Sequence, residues 1–159
     1  MKLHIYKLDI DDFSEIDYDL IAINTTIEDY LLAFRINQRL KLTLSRGKSD
    51  IISVNNAGEV AFSRYGFEDE DQDLYWSLVQ NQKWLETTES DSSLFDHAQQ
   101  KVYLLPEFKN VDYFLKIEGA EFEEDEIQDI ISQIKNINNV SAVFMVDVNR
   151  LKSKNNLIF

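Results

Sequence analysis

Residues 111–146 read VDYFLKIEG (111–119), AEFEEDEIQDIISQIKNIN (120–138) and NVSAVFMV (139–146), and this stretch decides the fold class. Val111, Tyr113, Leu115 and Ile117 alternate with Asp112, Phe114, Lys116 and Glu118, the period of a strand, and Gly119 ends it. Phe122, Ile127, Ile130, Ile131, Ile134 and Ile137 then recur at helical spacing. Glu123–Glu126 fill the first turn of that helix, where carboxylates offset its positive end. Asn138 and Asn139 break the helix. Val140–Val146 is apolar on both faces, so it is expected to be central in a sheet or sealed against a partner.

A second unit of the same kind lies upstream. Tyr18–Ile23 reads as a buried strand, and Thr25-Thr26-Ile27-Glu28 has the form of a capping box. A helix is expected to about Gln38, with Ile27, Tyr30, Leu31 and Phe34 at helical spacing. Leu40–Arg46 then returns to period two, and Gly47–Asp50 turns the chain. Two βαβ blocks, 18–46 and 111–147, therefore flank a hairpin-rich stretch at 59–105. In that stretch Val60–Tyr65 and Leu74–Val79 are expected strands joined by the acidic Glu68–Asp73. Leu3–Leu8 is a further expected strand, and Glu86–Gln100 the most loop-like segment. The economical solution is a single α+β domain over 1–159. It is a ferredoxin-like two-layer sandwich, with both helices on one face of a mainly antiparallel sheet and the hairpin region inserted.

Composition narrows the function more than it names one. The 159 residues carry no Cys, one Pro and four Gly, which removes thiolate metal sites, Cys nucleophiles and disulfides. Ten Phe, seven Tyr and two Trp within 44% hydrophobic residues specify a packed core. No apolar run approaches the roughly 20 residues that span a bilayer. Met1–Ile5 gives way to Asp9, Asp11 and Asp12, so no secretory signal is expected and the cytoplasm is the default compartment.

Sixteen Lys and Arg face 29 Asp and Glu, a net charge of −13 that repels phosphates and anionic membranes. Neither nucleic acid nor membrane is therefore an expected partner. Basic residues collect at Arg35, Arg39, Lys41, Arg46 and Lys48, and again at Arg150, Lys152 and Lys154. Acid collects at 9–19, 68–73 and 121–129, so the molecule could meet an acidic partner or itself head to tail.

The chemical motifs are weak. Asp69–Asp73 imitates the first positions of a calcium loop, but Leu74 stands where Gly is needed and Gln80 where Glu is needed. His4 and His97 have no ligand spacing around them, so no metal is expected. Ser92, Ser93, Asp96 and His97 are linear neighbours rather than an assembled triad. Gly47, Gly58, Gly66 and Gly119 are scattered singly and build no phosphate loop, so no cofactor is expected. Phe62, Tyr65, Phe67, Tyr75 and Trp76 could stack bases, but the adjacent acid favours packing instead.

Leu105-Pro106-Glu107-Phe108-Lys109-Asn110-Val111-Asp112-Tyr113 resembles the signature of the bacterial IPExxxVDY family, with Leu105 in the place of Ile. Glu28-Asp29-Tyr30 and Leu151–Asn156 extend the resemblance. It implies a single small cytosolic domain and assigns no activity, cofactor or site residue. Pro106 fixes φ ahead of a strand, Tyr113 shares the face of Val111 and Leu115, and Glu107 and Asp112 are the candidate binding residues.

Three functions follow in order. The first is a non-enzymatic interaction protein that homodimerises, resting on the missing catalytic constellation and on Val140–Val146. The second is a small-ligand regulatory domain resembling the ACT type, to whose second helix and strand Ile130–Val143 is similar, although Asn24-Thr25 stands where such domains carry Gly. The third is a hydrolase or metal enzyme assembled from the many carboxylates.

Overall fold

Alternation along Tyr113–Glu118 builds a strand whose two faces are both covered. The computed structural model describes residues 17–55, 58–86 and 99–159. In chain order the elements are β1 (Tyr18–Thr25), α1 (Asp29–Leu40), β2 (Ser45–Arg46), β3 (Ile51–Asn55), β4 (Gly58–Phe62), β5 (Arg64–Asp69), β6 (Leu74–Gln80), β7 (Gln82–Glu86), β8 (Gln99–Tyr103), β9 (Tyr113–Glu118), α2 (Glu124–Lys135) and β10 (Val140–Met145). The expected strand Leu3–Leu8, the acids Asp9–Asp12, both histidines, Ser92–His97 and most of 86–100 lie outside the described residues.

Six strands form one sheet in the order β10-β1-β9-β6-β5-β2, and every pair is antiparallel. The chain is thus α+β with a mainly antiparallel sheet and two helices. Strand alternation sorts its side chains to two cores. Ile21 and Ile23 of β1, Leu115 and Ile117 of β9 and Trp76 and Leu78 of β6 meet both helices, through Leu32 and Ile36 of α1 and Ile127, Ile130, Ile131 and Ile134 of α2. Leu20, Ala22, Val79 and Phe114 face the other way. There the β3–β4 ribbon, the segment 102–111 and Leu151 and Leu157 of the C-terminal segment close a second core. The sheet is therefore covered on both faces, where a two-layer sandwich would leave one open. No helix among the described residues is long and apolar enough to cross a membrane.

Lys116, on the second face of β9, is buried. Its ammonium donates to Glu118 Oε1 at 2.9 Å and to the Leu157 carbonyl at 2.8 Å, and it lies against the Tyr18 and Phe159 rings. That set of partners offsets the cost of taking a cation out of water. At the end of β9, Gly119 has φ +79°, and a Cβ there would come within 2.5 Å of the Asp73 carbonyl oxygen.

Four local expectations change. Leu40–Arg46 is not one strand: Leu40 ends α1, Lys41 is left-handed, and only Ser45–Arg46 pairs, with β5. The cause is Asn37, whose side-chain amide donates to the Leu44 carbonyl at 3.0 Å and accepts from its N–H at 2.8 Å. One side chain takes the place of a neighbouring strand and holds Leu42–Leu44 off the sheet. The block expected at 18–46 therefore does not close on itself, and β5 and β6 of the expected insertion join the main sheet.

The capping box at Thr25–Glu28 does not form either. Thr25 stays in β1, its hydroxyl donating to the Asn139 carbonyl at 2.7 Å and accepting from Ile27 N–H at 3.1 Å. The reciprocal cap belongs to α2, where Glu126 accepts from Glu123 N–H at 2.9 Å. Tyr30 and Phe34 are exposed, because α1 buries Leu32, Ala33 and Ile36 instead. Finally, β10 is an edge strand and not a central one, and β9 takes the inner position.

The charged runs have local work. Arg35 and Arg39 reach from α1 to the carbonyls of Asn138 and Asn136, at the negative end of α2. Asp69 Oδ1 accepts from the amides of Asp71 and Gln72, so the calcium-like sequence closes the β5–β6 turn.

Candidate functional site

The site is organised around Asn81, which follows β6 and is fully buried. Its side-chain amide donates to the carbonyls of Phe108, at 2.9 Å, and Val111, at 2.8 Å, and its Oδ1 accepts from Leu105 N–H at 2.8 Å. Its own N–H donates to the Asp112 carbonyl and its carbonyl accepts from Leu104 N–H. One side chain thus fixes the bend that Pro106–Phe108 makes as a short 3-10 turn. Gln82 adds two donations, to the carbonyls of Lys109 and Val111.

The bend aims Asp112 and Tyr113 at the β1–α1 junction. Asp112 Oδ2 accepts from Thr25 N–H at 2.9 Å, and the Tyr113 hydroxyl donates to the Ile27 carbonyl at 2.9 Å. Burial pushes the Asp112 carboxyl above its ordinary value, against the pull of the Thr25 amide and the Lys101 charge. Burial, with the nearby acids Asp29 and Asp112, likewise raises the Tyr113 phenol. Tyr113 is core, as its alternation predicts, whereas Val111 ahead of the strand packs into the opposite core.

Asp112 and Tyr113 line a cleft of about 600 Å³. Glu28 and Asp29 stand on the same wall, at the start of α1. The β7–β8 ribbon also contributes to the lining, with Lys83 and Trp84 from β7 and Lys101 from β8, Lys83 standing on the opposite ribbon face from the other two. Trp84 and Lys101 pair directly across the ribbon, with the ammonium 5.3 Å from the ring centroid. Arg46 and Asp50 also line the cleft and pair with each other at 2.5 Å. The lining thus carries both signs of charge. Among the described residues no three His, Cys, Asp or Glu converge to hold a metal ion.

Glu107 is employed elsewhere. Its carboxylate accepts from the amides of Lys152 and Ser153, at 2.8 and 3.3 Å, and from the Ser153 hydroxyl. Burial pushes this carboxyl up, but the bonds from Ser153 and Lys152 prevail and hold it below its ordinary value of 4.5. A depressed carboxyl stabilises the folded chain above that ordinary value, and the contribution fades as pH falls through the folded one. The amides of Lys152 and Ser153 are therefore expected to be protected from hydrogen exchange at about pH 6 and to lose that protection progressively as pH falls below the ordinary carboxyl value and through the lower folded one. Glu107→Ala is expected to abolish the protection throughout that range.

Of the two candidate residues, then, Asp112 belongs to the cleft and Glu107 to the fastening of the C-terminal segment. Sequence reading passes over Asn81, Lys83, Trp84 and Lys101. The available signal was Gln80-Asn81-Gln82, three consecutive amides directly after an apolar strand. No family model, curated protein or solved structure matches the chain.

Proposed function

We propose that the chain is a non-enzymatic interaction module that homodimerises through the edge of β10 that no other described strand pairs with. The observation that carries this reading is a six-residue edge strand, VSAVFM, with neither a charge nor a proline to blunt it. Exposed edges normally carry such guards, because their unpaired N–H and C=O groups recruit other strands. Phe144 aligns with Ala22 and Met145 with Ile21, so their side chains stand on opposite faces of the sheet. They are 40% and 37% exposed. A partner strand would cover both, giving Val140–Val146 the seal that its apolar faces require.

The ladder sets the register of that dimer. Val146 N–H donates to the Leu20 carbonyl, so even-numbered residues near the end of β10 turn their main chain toward β1. Val143 and Met145 turn theirs outward. An antiparallel pair related by a two-fold axis at Val143 matches the outward groups of both copies, since a two-fold contact is self-complementary. The chain has no Cys, so Val143→Cys supplies one thiol per copy, placed about 5.5 Å apart by Cα in such a pair. Mild oxidation is expected to convert this variant to a covalent dimer while Ser45→Cys stays a single chain. Equal cross-linking of both variants would contradict the register.

The same reading treats β10-β1-β9-β6 as a ferredoxin-like core within one domain. Its support is that β9 and β10 flank β1, each antiparallel to it, as in a split βαβ unit, and that both helices pack on one face. On this view the partner strand of the first unit is β6, and β5 and β2 extend the sheet. Membership of the IPExxxVDY family is kept as part of the proposal, supported by the work that Leu105–Tyr113 does in positioning the β1–α1 junction. A cytoplasmic setting, with neither nucleic acid nor membrane as partner, follows from the Cys-free, acidic composition.

A second reading is a small-ligand regulatory domain of the ACT type. The cleft at Asp112 favours it, since a space of about 600 Å³ with few convergent polar groups is the size of a small-molecule site.

A further inference from the structure

One face of the β7–β8 ribbon alternates aromatic rings with ammonium groups. Trp84 and Lys101 pair directly across the ribbon, and Tyr103 stands two residues further along the same face. The Lys101 ammonium lies 5.3 Å from the Trp84 ring centroid and 6.0 Å from that of Tyr103. Lys109 approaches Tyr103 from beyond the strand, also at 6.0 Å. Trp84 is 58% exposed, and Lys109 is exposed as well. Among the described residues no carboxylate forms an ion pair with either lysine, in a chain of 29 acids and 16 bases. A ring takes up one side of an ammonium and leaves its other N–H groups able to meet an anion. The opposite ribbon face is closed, with Val102 and Leu85 packed into the second core.

The main chain beside this row faces outward. Leu104 N–H donates to the Asn81 carbonyl, so Leu104 and Val102 turn their main chain toward β7, and Lys101 and Tyr103 turn theirs away from it. No described strand pairs with that outer edge of β8. An antiparallel strand laid along it would bond to Lys101 and Tyr103 and set alternate side chains on the aromatic and cationic face. The side chain opposite Lys101 would have its Cβ about 5 Å from that of the lysine.

We propose that the outer edge of β8 takes up an extended acidic segment of a partner protein as a third strand of the ribbon. Carboxylates at alternate positions fall opposite Lys101 and Tyr103, beside the two ammonium groups. Main-chain bonds supply affinity, and the lysines supply the preference for acid. The net charge of −13 opposes an acidic partner at long range, but physiological salt screens that field beyond roughly 8 Å, whereas the two lysines act at contact. This surface is separate from the β10 edge and does not depend on self-association there.

Fluorescence anisotropy of the intact chain with a labelled peptide, Thr-Glu-Val-Glu-Thr-Glu-Val, tests the proposal at about 0.15 M salt. The peptide is expected to bind at least about tenfold more tightly than its counterpart with Gln for every Glu, and N-methylation of its alternate amides is expected to abolish binding. Lys101→Met with Lys109→Met is expected to bring the Glu peptide down to the level of the Gln peptide. Lys109→Met alone, at an exposed position where folding is not at stake, is expected to weaken it about threefold. Lys48→Met with Lys152→Met changes the net charge equally at exposed positions outside the row, and is expected to leave binding within about twofold. Equal affinity for the Glu and Gln peptides, equal weakening by the two double variants, or binding that survives N-methylation would overturn the proposal. So would no binding of the Glu peptide at about 1 mM.

Discussion

Replacing Asn81 by leucine is expected to lower the thermal midpoint of the chain by about 10 °C. The substitution keeps the number and branching of the side-chain heavy atoms and leaves the main-chain bonds to Leu104 and Asp112 in place. It removes both donations, to Phe108 and Val111, and the acceptor for Leu105 N–H, in a position without solvent. Leu105 N–H is left without a partner at about 1–3 kcal/mol, and the Phe108 and Val111 carbonyls, which keep Val111 N–H and Gln82 as donors, each lose one bond at about 0.5–1.5 kcal/mol, so the combined loss is about 3–5 kcal/mol. The bend carries Asp112 and Tyr113, so the damage should propagate to the junction they hold. Hydrogen exchange at the Thr25 amide, bonded to Asp112, is expected to speed up with the loss of stability. Calorimetry of the variant checks the first part, and a midpoint within about 2 °C of the parent chain would contradict the role given to Asn81.

Much of the fold was legible because its elements keep a strict period. The isoleucines of α2 and the alternation of β9 announce themselves, whereas the strand expected at Val60–Tyr65 is broken at Ser63, its first part pairing with β3 as β4 and its last residues opening β5, which pairs with β6. What escaped was decided by side chains competing with the backbone. Leu40–Arg46 has the alternation of a strand, but Asn37 occupies the main chain of Leu44 and leaves only Ser45–Arg46 to pair. Thr25 and Glu28 have the spacing of a capping box, yet Asp112 and Asn139, both distant in sequence, hold Thr25 in β1. Periodicity cannot register either competition.

The site was legible in part for a related reason. Asp112 was singled out on the motif that contains it, and it does line the cleft. Glu107 sits in the same motif but is turned to the C-terminal segment, a contact 45 positions away along the chain. Trp84 and Lys101 have no local pattern at all, because they come together only when β7 and β8 pair.

Placing lysine at both Phe144 and Met145 is expected to raise the dimer dissociation constant by about 100-fold or more. Both positions are more than one-third exposed in the single chain, so the ammonium groups remain hydrated there and folding is little affected. In the proposed dimer the same groups would be drawn against a partner strand, losing water without gaining a counter-charge. The direction of the effect is informative. The chain carries a net charge of −13, so two added lysines reduce the general repulsion between copies. Weaker association despite that reduction would locate the contact at the edge of β10. Unchanged circular dichroism and thermal midpoint would show that the fold is intact.

Sedimentation equilibrium of the unmodified chain, run from low to tens of micromolar, tests self-association at β10 most directly. The expected result is a species of twice the chain mass at the upper concentrations, reduced to the chain mass in the Phe144→Lys, Met145→Lys variant. A single-chain mass for the unmodified protein across the whole range would contradict it.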